Sequence, residues 1–200
     1  MSEWNSIITI GREFGAGGRS IAKKISEELG IPYYDKDIIK ITAEQTGISE
    51  DMLRDTEDSE TKRNLFNWLL SSTDLSSSYD RTIMVQAEMI RILAKKGPCI
   101  IVGRGADYIL RDFPNVVNVF VHAEMEDKVK YAMETYGEDR DHATRRVRHI
   151  DAARESYYHY LTGGRWGYLS NYDLTLNSST IGKENCAEII MAFAAKKQQK

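Results

Sequence analysis

Ile7-Ile8-Thr9-Ile10-Gly11-Arg12-Glu13-Phe14-Gly15-Ala16-Gly17-Gly18-Arg19-Ser20 is the stretch whose reading decides the fold of this chain. A β-branched apolar run reads as a strand, a glycine cluster reads as a loop, and Ser20 stands where a helix begins. Ile21, Ala22, Ile25 and Leu29 continue at helical spacing until Gly30 ends the helix. Strand, glycine loop and helix in that order build a phosphate cradle. Successive backbone N–H groups converge on an anion, and the helix adds its partial positive N-terminus. The lysine expected in G-x-x-x-x-G-K-[ST] is missing.

Two registers fit the loop. In one, Gly15-Ala16-Gly17 precedes the lysine position, which Gly18 takes. In the other, Gly18-Arg19-Ser20 stands for G-K-[ST] with arginine for lysine. Both leave Gly11 upstream of the standard spacing, and both put the Ser20 hydroxyl where it can ligand Mg²⁺. Arg12 or Arg19 can supply the missing charge, though as a planar fork of donors rather than a compact ammonium. The plain alternative is a glycine turn that only lets helix pack on strand. The strand before, the helix after and the serine in place favour phosphate.

Outward from the loop, strands alternate with helices. Pro32-Tyr33-Tyr34 forms a short strand stopped at Asp35, and Ile38, Ile39, Thr42 and Ala43 begin another helix. Gly47 to Leu70 reads as charged helix, and Ser71 to Ser78 as a polar, mobile loop. Asp80 is placed to cap a helix with Ile83, Ala87, Ile90 and Ala94 on one face, ended by Gly97-Pro98. Cys99 to Val102 is a continuous apolar run, the pattern of a strand covered on both faces, and Val117 to Val121 repeats it but for Asn118. A helix follows over Met125 to Tyr136, then an arginine- and aromatic-rich stretch at 138–168. Asp173 to Asn177 gives a last strand, Ala187, Ile190, Met191 and Ala194 a closing helix, and Lys196 to Lys200 a tail expected to fray. The alternation predicts a parallel sheet between two helical layers, with ligands beyond the carboxyl ends of the strands.

Totals bound the function. Two hundred residues, 42% hydrophobic and 28% charged, suit one soluble domain. A net charge of −3 speaks against a general nucleic-acid or membrane-surface binder. Cys99 and Cys186 make neither a disulfide framework nor a metal motif, and the four histidines lack ligand spacing. Without a signal-peptide pattern or a spanning apolar run, a cytoplasmic chain with no membrane partner is expected.

Two further positions fall on the ligand face. Asp35 can hold a Mg²⁺-bound water or approach an acceptor phosphate, or simply cap the helix from Lys36. Arg104, between Gly103 and Gly105 after an apolar strand, can grip a phosphate bidentately or pair with Asp107 or Asp112. Arg148, Asp151 and Arg154 are spaced to share a helix face. The plain reading of this arginine run is a solvated helix with local ion pairs.

With these residues in place the chain resembles the cytidylate kinase-like group of P-loop nucleoside monophosphate kinases. Gly11–Ser20 looks like the family's degenerate phosphate loop, Tyr34-Asp35 like its aromatic or leucine plus aspartate, and Gly103-Arg104 like its Gly-Arg-Asp segment. Asp173–Asn177 resembles its last strand. The resemblance implies a three-layer α/β/α P-loop fold as a single domain over 1–200, with an acceptor-binding insertion at 37–80 and a lid-like segment at 138–168. It implies phosphoryl transfer from ATP, with Mg²⁺, to a small molecule, a nucleoside monophosphate such as CMP. Gly11, Gly15, Ala16, Gly17, Gly18, Arg19 and Ser20 would bind the donor, with Ser20 and Asp35 at the metal. Arg12, Arg19, Asp35, Arg104, Arg148 and Arg154 would be catalytic. After Asp35 the chain has Lys36-Asp37-Ile38-Ile39-Lys40 instead of the family's Thr/Ser-Gly-Ala-x-Tyr-Arg run. A kinase for another metabolite, or a non-catalytic nucleotide-binding protein that has lost the lysine, are the alternative readings.

Overall fold

Strand β1 (Ile7–Arg12) is the centre of the molecule. In the computed structural model, which describes residues 4–35 and 76–198, it is flanked by β3 (Ile100–Val102) and β4 (Val116–His122). β2 (Tyr33–Tyr34) and β5 (Leu174–Asn177) complete a five-stranded sheet of order β2-β3-β1-β4-β5. All four pairings are parallel. The helices are α1 (Gly18–Leu29), α2 (Ser76–Lys95), α3 (Ala106–Ile109), α4 (Met125–Tyr136), α5 (Arg140–Thr162), α6 (Ser178–Ile181) and α7 (Lys183–Lys197).

Side-chain alternation along the strands sorts the core into two layers. Ile8, Ile10, Ile100, Val102, Val117 and Val119 pack with Ile21 and Ile25 of α1 and Ala187 and Ile190 of α7. Ile7, Ile101 and Val116 pack on the opposite side with Ile90 and Leu93 of α2 and Ile109 of α3. Because a parallel sheet is covered on both faces, its strands carry no polar alternation, which is why the apolar runs were legible. Each such isoleucine, fully buried, contributes roughly 1.5–3 kcal/mol. A third cluster joins Phe14 to Val129 and Ala132 of α4 and Ala143 and Val147 of α5. It ties the glycine loop to the α4–α5 hairpin.

The helix from Ile38, the charged helical stretch from Gly47 to Leu70, and residues 71–75 of the serine loop lie outside the described residues. At Ser76–Ser78 the expectation of a loop fails, because α2 already starts at Ser76 and Asp80 lies within it. Serine is tolerated in a first helical turn, so polarity there did not mark a loop. The tail expectation also needs correction at Lys196 and Lys197, while residues 199–200 lie outside the described residues. α7 runs to Lys197, whose ammonium donates to the Val116 carbonyl at 2.8 Å and to Asp173 at 2.9 Å. Those partners are distant in sequence and gave no local signal. The other boundaries shift by one or two residues.

Both cysteines are buried and free. Burial pushes the Cys99 thiol up to about 12. The folded protein is therefore expected to show no fast-reacting thiol toward an aromatic disulfide reagent at pH 8, and two after unfolding; a rapid stoichiometric reaction of the native protein would contradict the packing. Ile101→Ala, at a fully buried position, should cost about 2–5 kcal/mol in a denaturant titration.

Candidate phosphate-binding site

The chain leaves β1 for one side of the sheet, builds β2 and β3, and then crosses to β4 on the other side. The crevice at the carboxyl end of β1 is thus a topological switch point, where open α/β sheets bind ligands. The glycine loop sits there. Gly15 and Gly17 adopt left-handed φ values of 78° and 84°. Gly17 occupies the cap position of α1 and has no side chain to cap it. The first-turn N–H groups of Gly18, Arg19 and Ser20 therefore lack intrahelical acceptors and face outward as donors. The Ala16 amide is already committed, donating to the Glu13 carbonyl at 3.3 Å. Gly11 belongs to β1 itself, under the Phe120 ring, where an added Cβ would come to 2.9 Å of that ring.

Arg12 takes an unusual path. A Cβ at Gly18 would meet its Cβ and Cγ at 2.8 Å, and a Cβ at Gly103 would fall 1.7 Å from its Nη1. The Arg12 stem thus lies over the start of α1 and its guanidinium over the end of β3. Its Nη2 reaches Asp35 Oδ1 at 3.5 Å. Arg19 comes to the same carboxylate from α1, its Nε donating to Oδ2 at 2.6 Å. The two arginines that compete for the lysine's place therefore converge on one acid, which is 8% exposed. They differ in setting, since the Arg19 side chain is 56% exposed and that of Arg12 only 13%.

Across the crevice Gly103, Arg104 and Gly105 are three consecutive left-handed residues, with φ of 76°, 59° and 63°. For arginine that conformation costs on the order of 1 kcal/mol, and such strain is held in place by surrounding structure. Arg104 is 5% exposed. It lines a cleft with Arg12, Asp107, Arg154, Tyr158 and Trp166, among others. Asp107 accepts from the Tyr158 hydroxyl at 2.7 Å, and burial pushes its carboxyl up. Its partner is thus a tyrosine rather than Arg104. The buried Tyr172 hydroxyl lies near Tyr158 and the Gly167 amide without a well-formed hydrogen bond.

Helix α5 separates the arginines that its spacing seemed to group. Arg154 lines the cleft and donates to the Arg12 carbonyl at 3.2 Å, whereas Arg148 is exposed and outside it. Three-residue steps drift by about 60° on a helix of 3.6 residues per turn, so two steps turn Arg148 about 120° away. Arg140 pairs with Glu126, and Arg146 with Glu138 at 2.9 Å, so for these the plain ion-pair reading holds. Tyr157 and Tyr158 are buried, packing α5 onto the body.

Ser20 is exposed on the first turn of α1. Among the described residues no cluster of three or more His, Cys, Asp or Glu could hold a metal alone, and no helix is long and apolar enough to cross a membrane. Sequence reading missed Glu13 and Lys128; the Lys128 ammonium bridges Glu13 and Asp151 beneath the loop. Lys128 sits inside a helix whose other inward positions are apolar, and a lone lysine there gives no signal of burial.

The sequence profile of the cytidylate kinase-like family matches residues 7–180, and the chain belongs to that family. No curated protein matches it. An uncharacterized protein from Eubacterium ventriosum ATCC 27560 shares 26% identity, with a TM-score of 0.74 over 95% of this chain and 98% of its own. Shikimate kinase from Bacteroides thetaiotaomicron superposes with a TM-score of 0.56 at 13% identity, covering 94% and 97% of the two chains. Shikimate kinase from Acinetobacter baumannii, in complex with shikimate, gives 0.53 at 14% identity, covering 98% and 96%. These likenesses establish the three-layer P-loop kinase fold.

Gly103→Ala tests the Arg12 slot. The left-handed φ costs about 1–2 kcal/mol in a denaturant titration, and the Arg12 guanidinium must leave its place over β3. Binding of tripolyphosphate, read by calorimetry, should fall more than that stability loss explains. Unchanged binding would show that the slot does not matter.

Proposed function

We propose that this member of the cytidylate kinase-like family moves the γ-phosphoryl group of Mg·ATP to a small acceptor, a nucleoside monophosphate such as CMP. The observation that carries the reading is the path of Arg12. Gly18 stands at the lysine position of the first register, and the space above it is filled by the Arg12 stem. The charge missing from the loop is thereby restored from the end of β1.

The residues present fit the donor. Amides of Gly15 and Gly17–Ser20 hold its phosphates, with left-handed glycines letting the backbone approach closely. Ser20 and Asp35 offer the oxygen donors that Mg²⁺ prefers, few in number because that ion keeps much of its water. Mg²⁺ held by Ser20 and Asp35 would supply positive charge against the donor phosphates. Asp35, held by Arg12 and Arg19, also fixes where those guanidiniums lie. Arg104 and Arg154 stand across the cleft, where fixed cations lower the cost of charge on the transferring group. Arg148, on the outer side of α5, is assigned no contact. The chain's own work is positioning and electrostatics, with no covalent intermediate. The part of the 37–80 insertion up to residue 75, which would select the acceptor, lies outside the described residues.

Purified protein with ATP, Mg²⁺ and a panel of nucleoside monophosphates tests the reading through ADP formation. Turnover with CMP or a close relative is expected. ATP binding without turnover on any of the panel would overturn the acceptor and favour another metabolite or a binding role. Arg12→Ala should lower kcat/KM by about 10²–10³-fold, the scale of a lost transition-state donor. Arg19→Ala, at an exposed side chain, should cost less; the reverse order would select the other register.

A further inference from the structure

We propose that Glu13, Lys128 and Asp151 form a buried clasp that positions the phosphate loop from beneath, setting the direction of the Arg12–Phe14 backbone. The inference rests on the phosphate-binding reading above and adds positioning residues that do not touch the ligand.

The clasp joins three elements. Asp151 of α5 accepts from the Phe14 N–H at 2.7 Å through Oδ1, and from Lys128 Nζ at 3.1 Å through Oδ2. The same ammonium donates to Glu13 Oε2 at 2.9 Å, and that oxygen also accepts from the Ala123 N–H at 3.2 Å. The Glu13 N–H in turn donates to the Val121 carbonyl at the end of β4, at 3.0 Å. Arg154, 3.8 Å from Asp151, holds the Arg12 carbonyl. Helix α5 therefore grips both sides of the turn where β1 enters the loop: the carbonyl of Arg12 and the amide of Phe14.

Lys128 is 7% exposed, beside the apolar cluster of Phe14, Val129, Ala132, Ala143 and Val147. Burial works against its charge, but the two carboxylates outweigh burial, so its pKa is raised and it stays an ammonium. Asp151 feels the opposite balance, with burial pushing its carboxyl up against the pull of Phe14, Lys128 and Arg154. Two acids and two bases thus close the charge balance of the cluster.

Stability alone does not call for such a group. A buried ion cluster is often no more stable than apolar side chains of similar volume, because desolvation cancels the attraction. Apolar contacts, however, have no direction, and they cannot fix which way a peptide N–H points. A satisfied hydrogen-bond network can. Here it fixes the peptides immediately before Gly15, and with them the departure of the Arg12 side chain toward the slot between Gly18 and Gly103. A displacement of about 1 Å in such a frame can cost on the order of 10²-fold in a reaction.

The decisive variant replaces all three groups together, Glu13→Leu, Lys128→Met and Asp151→Leu, in the full chain. It nearly keeps volume and leaves Arg154, at the cleft, as the one charge of the cluster, while the Phe14 and Ala123 N–H groups lose their acceptors. Three quantities are measured: thermal unfolding, amide exchange of Phe14 by NMR, and binding of inorganic tripolyphosphate and Mg·ATP by calorimetry. The clasp predicts a variant that still unfolds in one cooperative transition, with Phe14 exchange at least about tenfold faster and both ligands weakened by about tenfold. Equal weakening matters, because the defect lies in the shared phosphate cradle. A folded triple variant with wild-type Phe14 exchange and both affinities within about twofold would overturn the proposal. Should the triple variant not fold, Asp151→Ala leaves Lys128 and Glu13 as a balanced pair and is judged by the same readings. Should the wild-type protein bind neither ligand, the phosphate reading fails, while Phe14 exchange still decides whether the clasp holds the loop.

Discussion

The carboxyl end of β1 is organised around one side chain that needs two missing ones. Arg12 lies where it does because positions 18 and 103 carry no Cβ: its stem crosses Gly18 and its guanidinium rests against Gly103. Helix α1, strand β3 and the Asp35 end of β2 are thereby brought to a single cation. A residue with any side chain at Gly103 would displace the guanidinium and would also strain a left-handed backbone. In this molecule the absence of the loop lysine and the closeness of β1, α1 and β3 are one fact seen from two sides.

Charges around the loop alternate. Above it Arg12 and Arg19 share Asp35, and below it Lys128 is shared by Glu13 and Asp151. Each charge of these two sets is met by an opposite one, as burial of ions demands. The upper set is partly open and carries the chemistry proposed for the donor phosphates. The lower set is closed and leaves backbone direction as its evident product. Helix α5 serves both, presenting Asp151 downward to Phe14 and Arg154 to the Arg12 carbonyl and the cleft.

Much of the fold was legible because its signals are local. Ile100–Val102 is an unbroken apolar run, Ile7–Ile10 and Val116–Val121 are interrupted only by Thr9 and Asn118, which hydrogen-bond to each other, and a sheet covered on both faces is their natural outcome. Gly30 and Gly137 close α1 and α4 with left-handed caps at φ 66° and 67°. Polarity misled at Ser76–Ser78, where a helix starts, and at Lys197, which long-range bonds hold in place. Of the site, the glycine loop, Asp35 and Arg104 were readable as ends of strands. Arg148 was grouped with Arg154 by a three-residue rule that loses phase over two steps.

The sequence by itself determined a parallel α/β sheet with a phosphate-type loop after its first strand, and it left Arg12 and Arg19 as rivals for the lysine's place. Tertiary structure decided what lies between them. It threaded Arg12 past two glycines 85 positions apart (103 minus 18), left Arg19 at the surface, and drew Lys128 under the loop between two acids. None of these contacts has a period, a spacing or a propensity. They arise where separate elements meet, from which atoms are missing and which charges must be paired, and a linear pattern carries no record of either.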